Sequence, residues 1–243
     1  MQRYFVDPEQ FHEREVEITG DDVHHIVKVM RSETGEEIIV CDGTGRVARV
    51  RLSELSKELV RGEIVELLDE QRELPIRVTI GQGLPKADKM EWILQKGTEL
   101  GAYAFFPFSS ERTIVKLDEK KEGKKLERWR KIAKEAAEQA HRAIVPQLLS
   151  PVSYKQLLKE FEKYTAVAIA YEKEGGGKLS DVLPTLSAGD SLLVLIGPEG
   201  GFSEEEVRLA EQAGAKSVSL GPRILRTETA SQYVLSAVSY HFE

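Results

Sequence analysis

The sequence predicts a small β-rich domain followed by a larger α/β domain with a mostly parallel sheet. Up to about residue 70, short segments alternate polar and apolar residues with a period of two; beyond it, apolar runs and amphipathic segments follow one another to the end. The charged stretch Asp69-Glu70-Gln71-Arg72-Glu73-Leu74-Pro75 marks the joint. The domains are therefore drawn at 1–72 and 73–243, each long enough to bury its own core.

In the first domain Glu15 to Thr19, Glu36 to Cys41, Arg46 to Leu52 and Val60 to Leu68 read as strands. The turn Asp42-Gly43-Thr44-Gly45 joins the middle pair, and the whole has the pattern of a small barrel. One short helix interrupts it. Asp21 can cap it, Val23, Ile26, Val27 and Met30 are expected to share its buried face, and Gly35 follows its end.

In the second domain Ile76 to Gly81, Ala102 to Pro107, Ala166 to Tyr171, Ser191 to Ile196 and Ser217 to Leu220 read as strands covered on both faces. Lys89 to Leu100 is an amphipathic helix stopped by Gly101, and Leu126 to His141 gathers Leu126, Trp129, Ile132, Ala133, Ala136, Ala137 and Ala140 on one side. Ser203-Glu204-Glu205-Glu206 matches a capping box and opens a helix ending at Gly214. Thr227 or Thr229 can cap the last helix, with Ala230, Val234, Ala237 and Val238 at helical spacing.

Composition narrows the function classes. The net charge of −7 lies in the first domain, with 10 Lys and Arg against 17 Asp and Glu up to residue 72 and 24 against 24 after it. Nucleic-acid binding by global charge is thus disfavoured, leaving Lys116 to Lys134 as a local basic stretch that reads equally well as a solvated helix face. No apolar run approaches the roughly 18 residues that span a bilayer, and Met1-Gln2-Arg3-Tyr4-Phe5 lacks the apolar stretch of a signal peptide, so a cytoplasmic protein with no membrane partner is expected. The single cysteine, Cys41, forbids an intrachain disulfide, cannot alone hold zinc, and reads as a strand residue; no metal is expected.

Two loops after buried strands stand out. In Leu195-Ile196-Gly197-Pro198-Glu199-Gly200-Gly201-Phe202-Ser203, three glycines between a strand and a capped helix permit close backbone approach to a ligand. This is neither a P-loop nor a dinucleotide fingerprint, and Glu199 would repel a polyphosphate, so a nucleoside carrying positive charge fits better. A plain strand-to-helix turn would use the same residues. In Leu220-Gly221-Pro222-Arg223-Ile224-Leu225-Arg226-Thr227-Glu228-Thr229-Ala230, the apolar Ile224 and Leu225 suggest a loop folded inward, with Arg226 and Glu228 at the entrance of the final helix. A surface ion pair is the competing account. His24 and His25, being adjacent on a helix, share no ligand geometry and read as structural or RNA-facing.

Together these loops resemble those of the RsmE family of SPOUT-class RNA methyltransferases. The resemblance extends along the chain through Arg3-Tyr4-Phe5, His24 to Arg31, Lys89-Met90-Glu91, Gln95 to Gly101, Ser110-Glu111-Arg112, Glu138-Gln139, Arg142 and Pro146. Met30 stands where the family pattern leads one to expect leucine. The resemblance implies a PUA-like, RNA-binding barrel over 1–72 and a trefoil-knotted domain over 73–243 that binds S-adenosylmethionine, in a homodimer acting on N3 of a uridine in ribosomal RNA of the small subunit.

Carried onto this sequence, the implied cofactor residues are Leu195, Ile196, Gly197, Pro198, Glu199, Gly200 and Gly201 in one loop and Leu220, Gly221, Ile224, Leu225, Thr229 and Ala230 in the other. Adenine is expected against Leu220, Ile224 and Leu225. Arg226 is the expected stabiliser of charge on the base carbonyls and Glu228 the nearest proton acceptor. Arg3, Arg31, Lys96, Arg112 and Arg142 are the expected RNA contacts, through phosphate. A ribose 2′-O-methyltransferase of the same class and a noncatalytic RNA-binding assembly factor are the rival readings.

Overall fold

The computed structural model describes residues 1–113, 119–171 and 176–242, which divide into two units. The first is Met1–Glu73 with Ala137–Val145, and the second is Leu74–Ala136 with Pro146–Glu243.

The first unit is a five-stranded sheet of β1 (Arg3–Phe5), β2 (Glu15–Ile18), β3 (Glu37–Cys41), β4 (Val47–Leu55) and β5 (Val60–Leu68), in the order β1-β3-β4-β5-β2. Only the β1–β3 pair is parallel. The period-2 pattern buries Val16, Ile18, Ile38, Val40, Val50, Leu52 and Val60 on one face, which is the core. Gly62 is required there: a Cβ would lie 2.3 Å from Val50 Cγ1. In the β3–β4 turn the buried Asp42 carboxylate accepts from the backbone N–H groups of Thr44 and Arg46, at 2.9 and 3.0 Å, and from both side chains. Burial pushes this carboxyl up, but the four hydrogen bonds outweigh it and hold it below the usual range.

The helix expected between β2 and β3 differs from its periodicity. Only α1 (Asp21–His24) is α-helical; His25–Met30 forms a π-helix closed by Arg31 in the left-handed region at φ 55°. The wider π turn shifts the helical face, so Val23 and Ile26 are buried but Met30 is 41% exposed. The Tyr4 hydroxyl meets His25 Nδ1 at 3.0 Å, giving His25 a structural partner, while His24 is exposed.

Residues 137–145 close this unit. Ala137 and Ala143 pack with Phe5, Cys41 and Val47, and Thr44 bridges to Ile144. Here two expected RNA contacts are corrected. Arg3 is 6% exposed, with Nη2 2.7 Å from Glu70 and Nη1 donating to the Arg142 carbonyl at 3.1 Å; Arg142 is 3% exposed and paired with Glu73. Both are internal struts with no surface left for phosphate. Burial also pushes the neighbouring Cys41 thiol up to about 11, against the pull of Arg3.

The second unit comprises β6 (Arg77–Gly83), α2 (Lys89–Glu99), β7 (Ala104–Ser109), α3 (Glu119–Gln139), whose last three residues lie in the first unit, β8 (Gln147–Leu148), β9 (Val152–Ser153), α4 (Tyr154–Leu158), β10 (Ala166–Ala170), β11 (Gly177–Lys178), α5 (Leu179–Val182), β12 (Ser191–Ile196), α6 (Glu204–Gln212), β13 (Lys216–Ser219) and α7 (Thr227–Phe242). The sheet runs β11-β13-β10-β12-β6-β7-β8, with β9 beside β7, and every pairing is parallel. Alternate residues feed two cores: Leu192, Val194, Ile196 and Phe105 face α2, α5 and α7, while Leu193, Leu195, Phe106 and Phe108 face α4 and α6. Gly97 lets α2 lie on β7, where a Cβ would come 2.7 Å from the Phe105 ring.

The capping box forms as expected: Ser203 Oγ accepts the Glu206 N–H at 3.3 Å and Glu206 Oε2 accepts the Ser203 N–H at 3.0 Å. Of the basic stretch 116–134, Lys116 lies outside the described residues. Arg128 pairs with Glu91 on α2 at 2.7 Å and Lys125 lies over the Trp129 ring at 5.3 Å, so part of the stretch makes contacts within the unit from its surface.

Candidate functional site

The carboxyl ends of β10, β12 and β13 open into a cleft of about 690 Å³, and both expected loops form its walls. The position is the one an open parallel sheet favours for ligands. The first wall, residues 196–201, is shaped by backbone. A Cβ at Gly197 would press on the Gly201 backbone at 3.1 Å, one at Gly83 would lie 2.6 Å from Pro198 Cδ, and Arg112 packs on Gly200 while donating to its carbonyl at 2.9 Å. Phe202 anchors the far end, stacked on Phe108 with ring centroids 6.1 Å apart.

The second wall is the 220–226 loop. Leu220 and Leu225 pack partly against the core, whereas Ile224 points outward and is 85% exposed. The expectation of an inward-folded Ile224 is corrected to that extent: it sits at the rim of the cleft, on the cleft lining but free of the core.

Most of the expected residues converge. Ile196 to Gly201, Leu220, Gly221, Ile224, Leu225, Arg226 and Ala230 line the cleft, as does Arg112. Leu195 and Thr229 do not: Leu195 is fully buried on the opposite face of the sheet, and Thr229 is exposed on α7. Arg31 is exposed in the first unit, and Lys96 is engaged by Glu99 at 2.8 Å and lies over Trp92 at 5.3 Å.

Arg226 caps α7 through its carbonyl, which accepts the N–H groups of Thr229 and Ala230 at 2.9 Å. Its guanidinium is exposed at the cleft with no ion pair among the described residues. Glu228 is in the first turn of α7; its Oε2 is buried without a hydrogen-bond donor, and the closest cation is Lys89 Nζ at 3.6 Å.

Lys89, which the sequence places only at the start of a helix and in a family landmark, has a site role that spacing did not show. From the first turn of α2 it also reaches Glu199 at 2.9 Å, so one ammonium joins a carboxylate from each loop. Burial raises the Glu199 carboxyl, but the Lys89 ammonium and the Lys86 N–H outweigh it and hold the group below its usual range. The same hydrogen bond, against a smaller effect of burial, holds Lys89 above its ordinary value. Helical spacing gave no hint that the start of α2 meets both loops.

The RNA methyltransferase domain family matches residues 72–239, and the RNA methyltransferase PUA domain family matches residues 18–65. The chain is 51% identical, over 100% of its length and 98% of the relative's, to ribosomal RNA small subunit methyltransferase E of Bacillus subtilis strain 168. This chain belongs to the ribosomal RNA small subunit methyltransferase E family. Among solved structures, the family member from Neisseria gonorrhoeae, crystallised bound to S-adenosyl methionine, is 33% identical with a TM-score of 0.88 over 100% of this chain and 98% of that one. A crystal structure described as that of an hypothetical protein is 49% identical with a TM-score of 0.93, covering 100% of this chain and 99% of the other. An RNA methyltransferase PUA domain followed by an α/β RNA methyltransferase domain with a parallel sheet, as the sequence predicts, is the fold of the chain. Among the described residues no cluster could hold a metal ion, and no helix is long and apolar enough to cross a membrane.

Proposed function

We propose that this chain transfers a methyl group from S-adenosylmethionine to N3 of a uridine in small-subunit ribosomal RNA. The observation that carries the reading is the cleft itself: two family loops at the carboxyl ends of β12 and β13, with Arg226 on the lining, unpaired among the described residues, and the Glu228 carboxylate just behind it in the first turn of α7. The cleft fits the cofactor. Its volume of about 690 Å³ suits a nucleoside, glycines 197 and 200 allow backbone contact, and Glu199 and Glu228 offer negative charge to a cationic ligand. The cofactor supplies the electrophilic methyl group.

Residues 196–201 and 220–225 hold it, with Leu220 and Leu225 giving an apolar seat for adenine and Ile224 closing from the rim. Arg226 donates to a uracil carbonyl and stabilises the charge that spreads there as N3 loses its proton. Glu228, the nearest carboxylate, accepts that proton; its Oε2 is buried 3.6 Å from Lys89 Nζ, so the group turns toward the base to do so. Arg31, Lys96 and Arg112 position the RNA through phosphate, the PUA-like domain contributes RNA binding, and two copies of the chain form the working enzyme in the cytoplasm. The small subunit is the substrate, after the names of the relatives.

The test is transfer of labelled methyl from S-adenosylmethionine to small subunits lacking the modification, followed by nucleoside analysis. Product 3-methyluridine is expected, with Arg226→Ala slowing turnover by about 100- to 1000-fold while cofactor binding is kept. Transfer to a ribose hydroxyl, or none, would overturn it.

A further inference from the structure

Gln82 is the penultimate residue of β6, between β12 and β7, and is fully buried. A buried amide in an apolar sheet carries a desolvation cost that its partners must offset. Its Nε2 donates to the Gly83 carbonyl at 2.9 Å and to Thr227 Oγ1 at 2.8 Å. Thr227, the buried first residue of α7, donates its own hydroxyl hydrogen bond to the Gly197 carbonyl at 2.6 Å. An amide, a hydroxyl and a carbonyl thus form one directional chain from β6 through the end of the second cleft loop to the first. Gly83 adds a backbone contact at the same spot, since nothing larger fits beneath Pro198 and Gly197.

We infer that Gln82 and Thr227 are positioning residues that lock the two cofactor loops into one register before the cofactor arrives. Gln82 lies behind the cleft, and Thr227, though on its lining, spends its hydroxyl on Gln82 and Gly197; both act through Gly197 and the α7 entrance. The inference rests on the proposed cofactor reading of the cleft. The physical argument is preorganisation: the 196–201 wall is shaped largely by backbone and cannot adapt by changing rotamers, so its position against the side chains of the 220–226 wall must be fixed, either beforehand or on binding. A residue at 227 must both accept from Gln82 and donate to Gly197. Threonine and serine do both; valine has the same shape and does neither. The bonds also polarise one another, so cutting either weakens the link as a whole.

The test is calorimetric titration of the full chain with S-adenosylmethionine, using Thr227→Val, Thr227→Ser, Gln82→Leu and the Gln82→Leu/Thr227→Val double variant, each checked by circular dichroism and thermal melting. Thr227→Val and Gln82→Leu are expected to weaken cofactor binding about tenfold each, and the double variant no more than either alone within about threefold. Thr227→Ser should stay within about twofold of the parent. In methyl transfer, KM for the cofactor should rise in parallel while kcat holds within about twofold.

A purely structural role predicts lowered melting temperature with cofactor affinity of the folded protein unchanged, and that result overturns the inference. So does Thr227→Ser falling as far as Thr227→Val, or kcat falling with KM unmoved. If Gln82→Leu does not fold, the valine and serine variants at 227 decide the matter alone. Failure of the parent chain to bind the cofactor sinks the proposed function and the inference with it; a binding parent with indifferent variants sinks the inference only.

Discussion

Two sets of ion pairs use the same chemistry for opposite ends. In the first unit Arg3 meets Glu70 and Arg142 meets Glu73 with side-chain exposures of only 2% and 4% for the arginines. In the second unit Lys89 meets Glu199 and Glu228 at the edge of a cleft, with 32% of its side chain exposed. A guanidinium with five fixed donors suits a buried site because it can meet several acceptors at once, as Arg3 does through Nη1 and Nη2 while its Nε stays without a partner. An ammonium on a flexible stem, still wetted, suits a site that must rearrange when a ligand enters. The buried pairs hold a fold together because breaking them strands a charge; the cleft pair costs little to break and is therefore available to function.

Several measurements can break this contrast. Glu70→Ala leaves Arg3 buried without its carboxylate, and about 3 kcal/mol of stability should be lost from the transition of the first unit in urea unfolding. A loss under about 1 kcal/mol would show that the pair is not structural. Lys89→Met should lower methyl transfer about tenfold, as Glu199 and Glu228 lose their common cation, while the unfolding free energy stays within about 1 kcal/mol. Equal losses of stability in the two variants would erase the distinction.

The smallest effect concerns pH. Because Glu199 is held below its ordinary range, the stability it contributes is fully present above that range and is lost as the pH falls through its depressed value. The stability difference between the parent and Lys89→Met should therefore be constant from neutral pH down to the ordinary carboxylate range and vanish only below it. A difference that faded nearer neutrality would mean that Glu199 is not held down by Lys89.

The contrast also marks what was legible. The three-glycine loop and the paired apolar positions 224 and 225 announced themselves because backbone permissiveness and hydrophobicity are local properties, although only Leu225 of that pair packs against the core. Alternation and helical spacing likewise gave the long strands and helices, but not the short β1, β8, β9 and β11, which carry too few residues to show a period. Charge is read differently. Nothing at positions 3 and 142 distinguishes an arginine that will be buried from one that will face phosphate, because the deciding carboxylates lie at 70 and 73. Gln82 and Lys89 escaped for the same reason, their partners being more than a hundred residues away. The π turn at His25–Met30 defeated a periodicity argument that assumes α geometry.

The return of residues 137–145 to the first unit sets a timetable for its synthesis. Residues 1–73 leave the ribosome with their sheet complete in sequence, yet Arg3 still lacks the Arg142 carbonyl and Glu73 its arginine. About 70 further residues must be made first, which at ordinary elongation rates takes roughly 4 to 14 seconds. During that interval the nascent sheet waits with part of its apolar surface uncovered, and the trailing end of α3 finishes the domain that translation began.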